Sequence, residues 1–121
     1  MTNQEKQMES ARLQHDFMQS YNGMCEEVYT VNVKNGFWDE DRNVGEMIAL
    51  IHSELSEALE GYRKGLQDDH LPQYSSLEVE LADTIIRIMD MTHGLNLNVA
   101  SALLDKLEYN TTRGYKHGKN F

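Results

Sequence analysis

Two segments of the chain repeat apolar residues at helical spacing. Between Val44 and about Lys64, and again between about Ser76 and His93, apolar side chains recur at steps of three and four residues. Such spacing places them on one stripe of an amphipathic helix that faces a core. The first stripe consists of Ile48, Ile51, Leu55, Ala58, Leu59 and Tyr62, and the second of Leu77, Leu81, Ile85, Ile88 and Thr92. We therefore expect both stripes to be buried.

The N-terminal third of the chain has a weaker helical pattern. Residues 3–20 are weakly amphipathic, Asn22-Gly23 predicts a break, and a second helical segment runs from Met24 to about Lys34. One long, kinked helix over residues 3–34 fits the same pattern.

Polar residues before the predicted helices are candidates for their N-caps. Asp, Asn and Ser side chains accept hydrogen bonds from the free N–H groups of a first helical turn. The candidates are Asp41 or Asn43, then Ser75 or Ser76, and then Asn96 or Asn98 for a last helix that ends at about Thr112. The single proline and the scarcity of β-branched runs predict an all-α fold. No repeat or linker divides residues 1–121, so we expect one domain.

Composition narrows the class of protein. The net charge of −9 argues against a general nucleic-acid binder, which would more often be basic. Cys25 is the only cysteine, so no internal disulfide can form, and a reducing cytosol fits. No apolar run approaches the ~18 residues of a membrane span, and the N-terminus lacks the apolar core of a signal peptide. We expect a cytoplasmic protein.

Each of the two strong helices carries a pair of carboxylates. Glu54 and Glu57 lie on the first, and Glu80 and Asp83 lie on the second. Residues three apart share a helix face, so antiparallel packing would bring all four together. Four carboxylates repel one another at neutral pH unless a cation lies among them, and oxygen ligands suit Mg2+ first, then Mn2+ or Ca2+. The alternative is a solvated face with an Asp83–Arg87 ion pair.

The loop GFWDEDRNVG, residues 36–45, contains Phe37 and the only tryptophan, Trp38. Aromatic side chains in a polar loop either anchor the loop to the core or line a pocket where a flat ring stacks on a ligand base. Both interpretations of Trp38 stay open at this point.

The final stretch, TTRGYKHGKNF, reverses the acidic character of the chain. Arg113 and Lys119 are among its basic residues, and no acidic residue follows Glu108. Lys106, Asn110 and Arg113 lie at steps of four and three, so they share one helix face. A cation site, a cationic tail and a loop aromatic together suit a ligand with phosphates at one end and a flat ring at the other, which is a nucleotide.

The chain resembles the MazG-like all-α nucleoside triphosphate pyrophosphohydrolases, and most of all the compact single-domain members carried by phages and mobile elements. The resemblance covers roughly residues 33–119. It rests on GFWDEDRN, GEMIALIHSELSEALE, EVELADTIIRIMD and KLEYNTTRGYKHGK. An ExxE helix followed by an ExxD helix defines the family, and the four carboxylates named above match this pattern. Residues 1–22 form a helical extension that the resemblance matches poorly.

The resemblance implies a helical bundle of four or more helices, with the active site on the paired antiparallel helices of a homo-oligomer, either dimer or tetramer. It implies Mg2+-dependent hydrolysis of (d)NTP to (d)NMP and pyrophosphate, with Mn2+ as a substitute, and a role in nucleotide-pool cleaning. The metal would be held by Glu54, Glu57, Glu80 and Asp83, and Glu54 or Glu57 would activate the water. The substrate would contact Trp38, Lys106, Asn110, Arg113, His117 and Lys119.

Two other classes of protein are alternatives to the hydrolase, a di-iron carboxylate bundle and a non-enzymatic helical module. Di-iron carboxylate bundles use Glu-x-x-His motifs, and the nearest approach here is Asp90-x-x-His93, which stands alone. The second alternative is a non-enzymatic helical module that binds nucleotides or proteins. An adaptor with solvated acidic faces would bind neither Mg2+ nor nucleotide. No membrane or nucleic-acid partner is expected.

Overall fold

The computed structural model describes all 121 residues, and they form helices without a strand. The helices are α1 (Asn3–Lys34), α2 (Val44–Lys64), α3 (Ser76–Gly94), α4 (Val99–Thr111) and a 3-10 helix (Tyr115–Gly118). The all-α prediction is confirmed. None of these helices combines the length and the apolar character needed to cross a membrane.

Helix α1 is continuous from Asn3 to Lys34. The predicted break at Asn22-Gly23 is therefore wrong, and the alternative of one long helix holds. A glycine inside a helix costs only about 1 kcal/mol relative to alanine, which is too little to end the helix. The chain turns just beyond the helix, where Gly36 adopts a φ of 91° that other residues rarely adopt.

One residue of each predicted pair lies at the N-cap position, and two of these three residues cap their helix through the side chain. The Asn43 side chain accepts a hydrogen bond from the backbone N–H of Glu46 at 3.0 Å. Ser75 and Glu78 form a capping box at the start of α3, in which each side chain binds the backbone N–H of the other residue. Asn98 precedes α4 without a side-chain hydrogen bond to the helix.

The chain divides into two compact units. The central unit consists of residues 24–96 and contains α2 and α3, and the terminal unit consists of residues 1–23 and 97–121. Within the central unit, α2 and α3 pack against each other along their lengths. They run antiparallel, since Gly61 lies against Ser76 near the connecting loop while Arg42, just before α2, contacts Asp90 near the end of α3.

The buried face of α2 lies beside its apolar stripe and shares only Ala58 with it. The buried residues of α2 are Met47, Ala58 and Gly61. A Cβ at position 61 would collide with Ser76, so the glycine lets the two backbones approach closely. Most of the predicted stripe is instead 43–68% exposed, namely Ile48, Leu55, Leu59 and Tyr62.

Helix α3 shows the same arrangement. Its buried residues are Thr84, Asp90 and Thr92, while Leu81 is 43% exposed and Ile85 is 52% exposed. The prediction that both apolar stripes are buried is therefore wrong for most of their residues, although Ala58 and Thr92 are buried. The contacts between the two helices include the close approach of Gly61 to Ser76 and the ion pair of Glu54 with Arg87, while several of their large apolar side chains stay exposed.

Candidate metal centre

The packing of α2 against α3 brings carboxylates from both helices together. Oxygen atoms of Glu54, Glu57 and Glu80 all lie within 4.8 Å of one another. The first two share a face of α2 because they are three residues apart. The third comes from α3, so this cluster exists only when the two helices pack.

Asp83, the fourth predicted ligand, lies beside this group. It lines the same cavity as Glu54. Burial raises the pKa of Asp83, and the negative charge of Glu54 raises it further, while Arg87 acts in the opposite direction. The aspartate is therefore within electrostatic range of the cluster without belonging to its closest three members.

Glu80 is the most perturbed carboxylate of the protein. Burial, a hydrogen bond with Glu54 and the negative charges of Glu57, Glu54 and Asp83 together raise its pKa to about 8. Its Oε2 atom is buried, and no donor in the protein binds it. Burying a carboxylate oxygen without a partner is unfavourable. A proton shared with Glu54 would satisfy this oxygen, and so would a cation.

The donor set fits a hard divalent cation. Mg2+ binds oxygen at about 2.1 Å and Ca2+ at about 2.4 Å, so opposite ligands of one ion lie about 4.2 to 4.8 Å apart. The mutual distances in the cluster fall within that limit. The buried Oε2 of Glu80 adds an oxygen that lacks any protein partner.

Arg87 contacts a different residue from the one that the solvated-face interpretation assigned to it. That interpretation paired it with Asp83 on the same helix. Its Nε instead donates a hydrogen bond to Oε1 of Glu54 at 2.9 Å, across the contact between α3 and α2. The Arg87 side chain is therefore paired across the two helices, although its charge also acts on Asp83. Only knowledge of which faces of α2 and α3 meet would have revealed this contact.

A cavity of about 290 Å3 opens next to the cluster in the central unit. Glu54, Asp83 and Arg87 line one part of it. The remaining lining residues are Asn32, Phe37, Arg42, Ile86 and Asp90. The cavity therefore joins carboxylates, two guanidinium groups and one aromatic ring, a combination suited to a charged ligand that carries a flat ring.

The structure gives Trp38 the contacts of an anchor. Its indole N–H donates to Asp90 Oδ1 at 2.9 Å, and the Arg42 guanidinium lies over its ring at 4.9 Å. Tyr29 packs on the ring at a centroid distance of 5.3 Å. The ring also lies so close to Gly94 that a Cβ there would collide with it. Trp38 thereby ties the loop to α1 and α3.

Phe37 is the aromatic residue that sequence reasoning did not select for the ligand site. It is 56% exposed and lines the 290 Å3 cavity. Its position beside Trp38 was visible in the sequence, but no sequence feature distinguished which ring packs inward. The role of Trp38 in base binding stays a prediction, and the geometry favours Phe37 for that role.

The remaining predicted substrate residues belong to the terminal unit. Arg113, His117 and Lys119 line a second cavity, of about 490 Å3. Lys106 Nζ lies 4.6 Å from the ring centroid of Tyr109. The side-chain oxygen of Asn110 is buried and accepts no hydrogen bond. Three of these five residues therefore share one basic pocket.

Comparisons of the chain with protein-family models, with curated proteins and with solved structures find no match. Membership of the MazG-like family therefore stays a prediction. The geometry of the carboxylate cluster has to support any function on its own.

We expect the metal-free protein to lose stability as the pH rises from about 5 to about 8. Folded Glu80 keeps its proton up to about pH 8, whereas an unfolded glutamate loses it near its ordinary pKa of 4.5. Between these values the folded state binds more protons, so raising the pH favours unfolding. Melting temperatures in EDTA should fall across this range. Glu80→Gln should flatten the slope, and the surface variant Glu60→Gln should retain it. Equal slopes in Glu80→Gln and the unmodified protein would contradict the assignment.

Substitutions of Trp38 and Phe37 should differ in their effect on stability, because Trp38 anchors the loop and the ring of Phe37 is exposed. Trp38→Phe should cost about 1–2 kcal/mol of unfolding free energy, because it removes the donor to the buried Asp90. Phe37→Ala should change stability by less than about 0.5 kcal/mol, because its ring is largely exposed. Urea unfolding measures both values, and the reverse order would show that Trp38 is not the anchor.

Proposed function

We propose that the protein hydrolyses (d)NTP to (d)NMP and pyrophosphate with Mg2+, and that Mn2+ can substitute. The observation that supports this most directly is the meeting of carboxylates from an ExxE helix and an ExxD helix within 4.8 Å. The buried oxygen of Glu80, which lacks a donor, adds to it. Removal of unwanted nucleotides from the cytoplasmic pool is the biological role that we attach to this activity.

The residues of the cluster have distinct parts in this chemistry. A bound divalent cation would neutralise phosphate charge and lower the pKa of a bound water. Glu57 is exposed and makes no hydrogen bond within the protein, so we place it as the acceptor of the proton from the attacking water. Glu54 and Glu80 are partly buried and hold the cation, with Asp83 beside them.

The cationic residues of the terminal unit suit the phosphates of the substrate. Arg113, His117 and Lys119 surround one cavity, and a developing charge on pyrophosphate is stabilised by such positioned donors. Lys106 and Asn110 are the other residues of the terminal unit that the resemblance assigns to the phosphates or the ribose. In the central unit, the exposed ring of Phe37 offers a stacking surface for the base.

A non-enzymatic binding module is the second candidate. The exposed apolar faces of α2 and α3 favour it, because such faces mark sites of protein interaction. Those faces also suit an oligomeric enzyme. In both candidates another chain would cover the apolar faces. The two candidates therefore differ only in whether the protein hydrolyses a nucleotide.

We further propose that the protein is a homo-oligomer, a dimer or tetramer, in which α2 and α3 of two copies form a four-helix bundle. Leu59 on α2 and Ile85 on α3 are each just over half exposed, at 51% and 52%. Two antiparallel helices with one apolar face each need a second layer to bury it. A second copy presents the same face and is therefore a self-complementary partner.

Product analysis tests the reaction. With Mg2+ and a panel of NTPs and dNTPs, we expect a nucleoside monophosphate and pyrophosphate, separated from orthophosphate by chromatography. Glu57→Gln should reduce the rate by about 100-fold or more, because it removes the proton acceptor. Glu60→Gln on the exposed face of the same helix should stay within about twofold of the unmodified protein. Orthophosphate as product would overturn the reaction, and no turnover with Mg2+ or Mn2+ would favour the binding module.

Light scattering coupled to size-exclusion chromatography tests the assembly. We expect twice or four times the mass of the 121-residue chain. Ile85→Glu should produce a monomer, because a charge buried at an apolar interface is strongly unfavourable. Ser53→Glu, on the opposite side of α2 from the apolar face, should leave the mass unchanged. A monomeric unmodified protein at micromolar concentration would contradict the proposed assembly.

A further inference from the structure

Arg87 is the one cationic residue in direct contact with the carboxylate cluster. Its Nε lies 2.9 Å from Oε1 of Glu54. The side chain of Glu54 is 12% exposed and that of Arg87 is 33% exposed, so much of the pair is shielded from water. A charge-assisted hydrogen bond in such surroundings is stronger than an ion pair on the open surface.

This contact uses an oxygen of a residue that belongs to the proposed metal centre. A guanidinium group and a divalent cation repel each other, so both cannot lie against the same carboxylate without cost. We propose that Arg87 is an internal counter-ion of Glu54 with which a divalent cation must compete. This inference rests on the metal centre of the proposed function and extends it to the control of cation affinity.

The surroundings of Arg87 let it leave Glu54. A guanidinium group has five N–H donors, and of these only the Nε–H of Arg87 is engaged by a protein group. The side chain also borders the 290 Å3 cavity, which provides space for it beside the cluster. Exchange of Arg87 for a cation therefore requires a side-chain rotation and no movement of α3.

Arg42 provides the contrast within the same cavity. Its guanidinium is paired with Asp90 at 2.9 Å, and the side chain of Asp90 is only 5% exposed. The same guanidinium also stacks on Trp38. Arg42 is thereby held on two sides, and its carboxylate partner is not part of the cluster. Arg42 therefore carries positive charge near the site but does not compete with a cation for a carboxylate. Its substitution is a matched control for the substitution of Arg87.

Calorimetric titration of the metal-free protein with MnCl2 or MgCl2 alone tests the inference. Arg87→Gln should bind the cation about tenfold more tightly, because the competing charge-assisted bond is removed. Arg87→Lys keeps the charge but loses the guanidinium contact and should gain several-fold. The melting temperature of Arg87→Gln in EDTA should be lower than that of the unmodified protein. Addition of MnCl2 should raise the melting temperature of Arg87→Gln by more than it raises that of the unmodified protein.

The control separates competition from a general effect of charge. Arg42→Gln removes one positive charge from the same cavity and should change cation affinity by less than about threefold. Equal or weaker cation binding by Arg87→Gln would overturn the inference. An equal gain in Arg42→Gln, with Arg87→Lys unchanged, would overturn it as well, because charge alone would then explain the effect.

Pyrophosphate release by the unmodified protein, measured in parallel, separates this inference from the proposed function. Turnover combined with unchanged cation affinity in Arg87→Gln would overturn the role of Arg87 and leave the hydrolase in place. Tighter cation binding by Arg87→Gln without turnover in the unmodified protein would support the role of Arg87 and overturn the hydrolase. If neither protein bound a cation, both would be overturned.

Discussion

Negative charge between α2 and α3 is the constraint on which the central unit depends. Three glutamates from two helices place oxygens within 4.8 Å of one another, and like charges at such distances destabilise the packing that brings them together. The protein reduces this repulsion in two ways. Arg87 neutralises Glu54 from the facing helix, and burial keeps a proton on Glu80 up to about pH 8. A divalent cation would achieve the same result with one bound ion.

Asp90 and Glu80 are two acidic residues of α3 whose carboxylates differ in the hydrogen-bond partners that the protein provides. Asp90 is buried, and both of its oxygens accept hydrogen bonds, one from Trp38 and one from Arg42. Glu80 has a buried oxygen without any donor. A carboxylate whose partners are all supplied by the protein stabilises the fold. One that lacks them is the better candidate for a ligand, which is why we assign Asp90 to the loop anchor and Glu80 to the metal centre.

The exposed apolar faces connect the fold to the proposed assembly. Helices α2 and α3 use small residues such as Gly61 to approach each other. Several of their large apolar residues stay exposed, among them the half-exposed Leu59 and Ile85. A site built on this helix pair would therefore lie in the element that the proposed assembly stabilises, so that oligomerisation and cation binding would support the same packing.

Several features of this protein could be predicted from the sequence because they depend on local spacing. Helical periodicity located α2 and α3, and short-range capping chemistry limited their starts to pairs of residues that include Asn43 and Ser75. The i, i+3 spacing placed each pair of carboxylates on one helix face. The break at Gly23 was predicted wrongly because one glycine is a weak signal against a long helix.

Other features were decided by the tertiary structure because they depend on which helix faces meet. Periodicity shows that α2 has an apolar stripe, but it does not tell whether α3 or another chain covers it. The same ambiguity hid the Arg87–Glu54 contact, since the partner of a long charged side chain is set by the facing helix. The sequence also does not tell which of the adjacent residues Phe37 and Trp38 packs inward. In the structure it is Trp38, which donates a hydrogen bond to the buried Asp90. Local chemistry determined the helices and their carboxylate pairs, and packing determined what those pairs face.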